Sequence, residues 1–95
     1  MQIYGLKHLD DARKKYADIR TSIDAWINEI KKASWNSAHD IKKRYPNASF
    51  LGDKKVFFNI KGNHYRLLVQ VNYPLKIVLV EWIGTHAEYT KKKFS

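Results

Sequence analysis

The chain has no cysteine, two prolines, four glycines, and nine acidic residues against eighteen basic ones. Without cysteine there is neither a disulfide framework nor a thiolate metal site, and a reducing compartment suits the chain, so the expected location is the cytoplasm. The longest apolar run, the four residues IVLV at 77–80, is far too short to cross a bilayer. The opening MQIYGLKHLDD reaches acidic residues before any apolar stretch and does not read as a secretory leader. There is no repeat, no low-complexity linker and no internal boundary, and a chain of 95 residues buries enough surface for one core. The expected organisation is a single domain over residues 1–95.

What the chain has in excess is positive charge, a net +9, and it is unevenly placed. Residues 1–40 carry 7 Lys/Arg and 6 Asp/Glu; residues 41–95 carry 11 and 3. A field of this kind concentrates polyanions, so nucleic acid, an acidic protein and an anionic membrane are the candidate partners. A membrane fits worst, because the basic residues do not line one amphipathic helix. A basic surface that only confers solubility is the plain alternative.

Leu9, Ala12, Tyr16 and Ile19 recur at helical spacing and predict a helix over 7–19. Thr21 is the expected cap of a second helix, with Ile23, Trp26, Ile27 and Ile30 as its apolar stripe and Lys31 and Lys32 at its C-terminus. Ser37 to Arg44 predicts a short helical turn that Pro46 ends, followed by a loop over 46–54. Strands are expected at 55–61, 64–72 and 76–84, the last apolar on both faces and therefore interior to the sheet. The tail THAEYTKKKFS suggests a short final helix. The fold class is α+β, in the order βααβββ with a short C-terminal helix: two N-terminal helices on one face of a largely antiparallel sheet.

In the segment FNIKGNHYRLLVQV, Gly62-Asn63 predicts a two-residue turn with Lys61 opposite His64. Asn59 then lies opposite Arg66, Phe57 opposite Leu68 and Lys55 opposite Gln70. Val56, Phe58, Ile60, Tyr65, Leu67, Val69 and Val71 share the other face, which is core. Lys55, Asn59, Lys61, His64, Arg66 and Gln70 are left facing solvent, and a solvated sheet face is the plain reading of them.

The functional reading begins with Arg66, whose planar guanidinium suits bidentate contact with phosphate; Lys61 and Lys55 add point charge. His86 and Tyr89 stand three residues apart and share a face on a helical turn, with Lys91, Lys92 and Lys93 following. RNA is cleaved without a metal when its own 2′-hydroxyl attacks the adjacent phosphorus, given a base, an acid and cations, and these residue types are present. Taken alone, His86 reads as a surface residue and Tyr89 as a core residue. His8, His39, His64 and His86 lack metal-ligand spacing, so no cofactor is expected. Gly52 and Gly62 stand outside any phosphate-loop pattern, and no serine sits in a nucleophile elbow. Trp26, Trp35 and Trp82 are expected to pack rather than to stack on bases.

The strings FNIKGNHYRL and IGTHAEY, with WNSAHDIKKRYPNASFL upstream, resemble the HigB-type toxins of the RelE superfamily of type II toxin–antitoxin systems. The likeness runs from Trp35 to Tyr89. It implies an mRNA interferase that cuts transcripts in the ribosomal A site and is neutralised by a helix-turn-helix antitoxin in a hetero-oligomeric complex. It also implies helices on one face of a sheet and an active site on the other. The resemblance carries over Lys61, Asn63, Arg66, His86 and Tyr89, with Lys61, Arg66, His86 and Tyr89 as the catalytic set. Lys55, Asn59, Asn63, His64, Lys91 and Lys92 are the expected RNA contacts. His64 stands where relatives carry lysine, and Thr90 where an acidic residue often follows the tyrosine. A non-catalytic RNA- or ribosome-binding module and a receiver of an acidic partner are the competing functions.

Overall fold

The computed structural model describes residues 1–52, 54–92 and 94. Its elements are β1 (Gln2–Tyr4), α1 (Leu6–Lys15), α2 (Arg20–Lys32), α3 (Ala38–Arg44), β2 (Ser49–Leu51), β3 (Lys55–Ile60), β4 (Tyr65–Asn72), β5 (Ile77–Thr85) and α4 (His86–Lys91). The strands form one sheet in the order β1-β5-β4-β3-β2, antiparallel throughout except where β1 runs parallel to β5. This is the α+β arrangement expected, with one added strand: Ser49–Leu51, expected as loop, pairs with β3 and forms an edge.

The helix boundaries also shift. α1 ends at Lys15 rather than at residue 19, because Tyr16 turns extended and lays its ring against Tyr65 at 4.9 Å. α2 begins one residue before Thr21, so Thr21 lies in the first turn instead of capping it. Burial decides this start: Ile19 is fully buried and its carbonyl accepts from Ile23 N at 3.0 Å. Ser37 does stand at the N-cap position of α3, although its side chain makes no capping bond. Gly5 joins β1 to α1 at φ +79, where a Cβ would lie 2.5 Å from the Val80 carbonyl oxygen, so only glycine fits.

Helices α1, α2 and α3 cover one face of the sheet. Leu9, Ile23, Trp26 and Ile30 meet Val56, Phe58, Leu67, Val69 and Val71, all buried, as the period-two alternation requires. Phe58 is the centre of an aromatic group, with Tyr45 at 4.9 Å, Trp26 at 5.6 Å and Trp35 at 6.2 Å. The hairpin register is the expected one: Lys55 pairs with Gln70, Phe57 with Leu68 and Asn59 with Arg66. The turn differs in detail, since positive φ falls on Lys61 and Gly62 rather than on Gly62 and Asn63, and His64 N bonds Lys61 O at 3.2 Å.

β5 is interior, between β1 and β4, and it carries a bulge at Glu81: Val69 pairs with Val80 but Leu68 with Trp82. One extra residue inverts the alternation beyond it. Ile83 therefore reaches the core, while Trp82 turns to the opposite face beside Leu68.

That opposite face is only in part the solvated surface expected: Lys61, His64 and Gln70 are exposed, but Lys55 and Asn59 are half-buried. Phe57, Leu68 and Arg66 are 4%, 5% and 7% exposed. The cause is α4, which folds back and lays Tyr89, followed by Phe94, over Phe57 at 5.1 and 4.9 Å. The sheet thus has a second, small aromatic layer.

Candidate active site

Arg66 is the one buried charged residue among those described. Its strand position puts Asn59 on one side and Gly84 on the other. Gly84 carries no side chain because Trp82 fills the space, its ring 2.5 Å from where a Cβ would be. Two polar groups hold the guanidinium: Nη1 donates to Asn59 Oδ1 at 2.6 Å and Nη2 to Ser49 Oγ at 3.3 Å. Two rings flank it, Tyr89 at 4.6 Å and Phe57 at 5.3 Å from Cζ. Nε is buried with no partner. A fixed cation with an unused donor is chemically suited to an anionic oxygen.

Tyr89 links Arg66 to His86, whose ring lies 5.6 Å from the tyrosine ring on the same face of α4. The start of α4 is pinned to the hairpin, with His86 N bonding His64 O at 3.0 Å. Arg66, Asn59, Tyr89 and His86 are therefore brought together from β4, β3 and α4.

The other candidate residues have separate surroundings. Lys61 bonds Asp18 at 2.7 Å, at the junction of α1 and α2, and Lys55 pairs with Glu81 at 3.4 Å. Asn63 and His64 are exposed at the hairpin tip, and Lys91 and Lys92 are exposed at the end of α4. Lys93 lies outside the described residues. Thr90 turns its hydroxyl back onto Ala87 O at 2.8 Å. Among the described residues, no group of three histidine or carboxylate side chains is placed to hold a metal.

Sequence reasoning missed Ser49, Asp18 and above all Glu88. Glu88 and Thr85 form a capping box, with Glu88 N donating to Thr85 Oγ1 at 3.1 Å and Thr85 N donating to Glu88 Oε1 at 2.8 Å. The signature was present as THAE. Glu88 also accepts from the Tyr16 hydroxyl at 2.6 Å, which ties α4, and so His86 and Tyr89, to the helical layer.

The Tyr16 hydrogen bond, joined by those from Thr85, lowers the Glu88 carboxyl from 4.5 to about 2. Lys61 and then Tyr65 lower Asp18 from 3.8 to about 2, and Asp18 in turn pushes the Tyr65 hydroxyl up to about 12. A depressed carboxylate stabilises the fold fully above its unfolded value and loses that contribution as pH falls through its folded one. The melting temperature is therefore expected to fall as pH drops from above 4.5 towards about 2. Glu88→Gln should flatten part of that slope in a series of thermal melts. A pH profile unchanged by the substitution would count against the anchor.

Helices on one face of a mostly antiparallel sheet, with a cationic and aromatic cluster on the other, are the arrangement of a RelE-like fold. The profile of the HigB toxin family, the RelE-like toxic component of a toxin-antitoxin system, matches residues 19–92, and the chain belongs to this family. It is 30% identical over 92 residues to the mRNA interferase toxin HigB of Escherichia coli (strain K12), covering 94% of this chain and 88% of that protein. The same figures hold for the mRNA interferase HigB of Shigella flexneri. A further mRNA interferase HigB, from Escherichia coli O6:H1, is 22% identical over 93 residues, covering 96% and 90%. Among the described residues no helix is long and apolar enough to cross a membrane.

Proposed function

We propose that this chain is a metal-independent endoribonuclease of the cytoplasm that cuts mRNA on the ribosome and thereby stops translation. The observation that carries the reading is the Arg66 guanidinium, buried between two rings, held by Asn59 and Ser49, with Nε unpartnered. Family membership and the names of the relatives support it. In the proposed reaction the 2′-hydroxyl attacks the adjacent phosphorus, its proton passes to the His86 imidazole, and the bond to the 5′-oxygen breaks. Tyr89 protonates that oxygen, leaving a cyclic 2′,3′-phosphate and a 5′-hydroxyl end. Arg66 donates to the phosphorane oxygens, where charge grows in the transition state. Lys61, which the resemblance puts in the catalytic set, sits beside Asp18. It is assigned with Lys55, Asn63, His64, Lys91 and Lys92 to the RNA backbone, while Asn59, expected as an RNA contact, holds Arg66.

Primer extension on a reporter transcript, with and without ribosomes, tests this. Cuts are expected on ribosomes and should persist in EDTA when the ribosomes are intact. Loss of cutting in EDTA with rescue by a divalent ion would overturn metal independence. Ribosome binding with no cut would leave a non-catalytic binding module.

Ribosome or RNA affinity should fall by about 10³ over a modest rise in salt if six or so phosphate contacts are made. Affinity indifferent to salt would refute the basic surface as the RNA contact. The antitoxin proposed is a helix-turn-helix protein whose covering segment is acidic, since masking a cationic site needs complementary charge. A structure of the complex with the Arg66 face left open would refute direct masking.

A further inference from the structure

We propose that Phe94 is the internal occupant of a nucleobase-stacking slot, formed by Phe57, Trp82 and Tyr89, and that RNA bound at Arg66 displaces it. The proposal rests on the reading of this face as an RNA site. Its basis is geometric. The Phe94 ring lies 4.9 Å from Phe57, 5.2 Å from Trp82 and 5.7 Å from Tyr89, the last with ring planes only 28° apart. Two of these three rings, Phe57 and Tyr89, also flank the Arg66 guanidinium.

An aromatic slot with one near-parallel wall, Tyr89, and two edge-on walls, Phe57 at 76° and Trp82 at 69°, therefore shares its walls with a buried cation whose Nε has no partner. That juxtaposition fits one nucleotide: the base stacks in the slot, and its phosphate, one sugar away, meets the guanidinium. A phenyl ring is close in size to a pyrimidine, so Phe94 occupies the slot as a base would, but it brings no anion for Arg66.

Displacement is also favoured by how the ring is held. Lys92 closes α4, its N–H bonding Glu88 O at 3.1 Å, and then turns extended. Phe94 follows beyond the helix, half-buried, against side chains, with the Lys92 ammonium 6.0 Å from its ring. Ring–ring contact and base stacking are of similar strength. A base that also delivers a phosphate to Arg66 therefore outcompetes the phenyl ring. Trp82 reaches this face only because of the bulge at Glu81.

The test is binding of a short, fluorescently labelled, 2′-O-methylated oligoribonucleotide, which resists cleavage, to the full chain and to Phe94→Ala. Emptying the slot should tighten binding roughly tenfold, the scale of one stacked base. Acrylamide quenching should also rise, because Trp26 and Trp35 are only 4% and 5% exposed and Trp82 is the tryptophan that Phe94 covers. Phe94→Leu, which keeps bulk but not the flat ring, should tighten binding less, and it decides the question if the alanine variant does not fold. Unchanged or weaker binding by a folded variant overturns the proposal. Cleavage by the unsubstituted chain on ribosomes is read separately. Cleavage without tightening overturns the slot alone, and tightening without cleavage overturns the nuclease reading while supporting the slot.

Discussion

Arg66→Ala is expected to lower the rate of mRNA cleavage by about 10² or more while lowering ribosome affinity much less. The split follows from where the side chain is. A guanidinium that is 7% exposed and fixed by Asn59 and Ser49 contributes little to a diffuse encounter with a polyanion, which exposed lysines govern. It contributes most when charge develops beside it, because its donors are already oriented and need no reorganisation. Arg66→Lys should recover only part of the rate, since the point charge returns but the fork geometry does not. Alanine also leaves Asn59 without its donor and opens space under Tyr89, so thermal melts belong beside the kinetics. His86→Gln should cut the rate, spare binding and flatten the pH–rate profile if the imidazole moves the proton. Equal losses of binding and cleavage in Arg66→Ala would make the residue a positioning contact.

On the other face of the same hairpin, Phe58→Ala is expected to cost about 3–5 kcal/mol of stability. Phe58 is 1% exposed and touches Trp26, Trp35 and Tyr45, each from a different element or loop, so the cavity cannot close by moving one segment. Against a total of about 5–15 kcal/mol, that is enough to leave the chain marginal. Urea unfolding measures it as a lowered midpoint. A loss below about 1 kcal/mol would mean that the aromatic group repacks freely. Phe57→Ala, one residue away, should behave differently, because Phe57 supports Arg66, Tyr89 and Phe94 instead of the helical layer. Its larger effect should fall on cleavage.

The contrast between Phe57 and Phe58 shows which parts of this molecule are legible in a linear string. Alternation along a strand has period two and the hairpin closes over a few residues, so the register Asn59–Arg66 and the core face follow from neighbours in the chain. The pairing of His86 with Tyr89 is likewise local, three residues apart on α4. So is the Thr85–Glu88 capping box, which the residues announce in THAE.

Burial of Arg66 is not local. It depends on α4 returning across the sheet, on a bulge that turns Trp82 to that side, and on Gly84 leaving room. Lys61 reads as a free cation until the α1–α2 junction brings Asp18 to it across 43 residues, and Glu88 as a surface acid until Tyr16 reaches it across 72. Periodicity and turn chemistry depend on nearest neighbours and are written in order along the chain. The environment of a charge depends on everything packed within a few ångströms, and for Arg66, Lys61 and Glu88 only the closed fold supplied those neighbours.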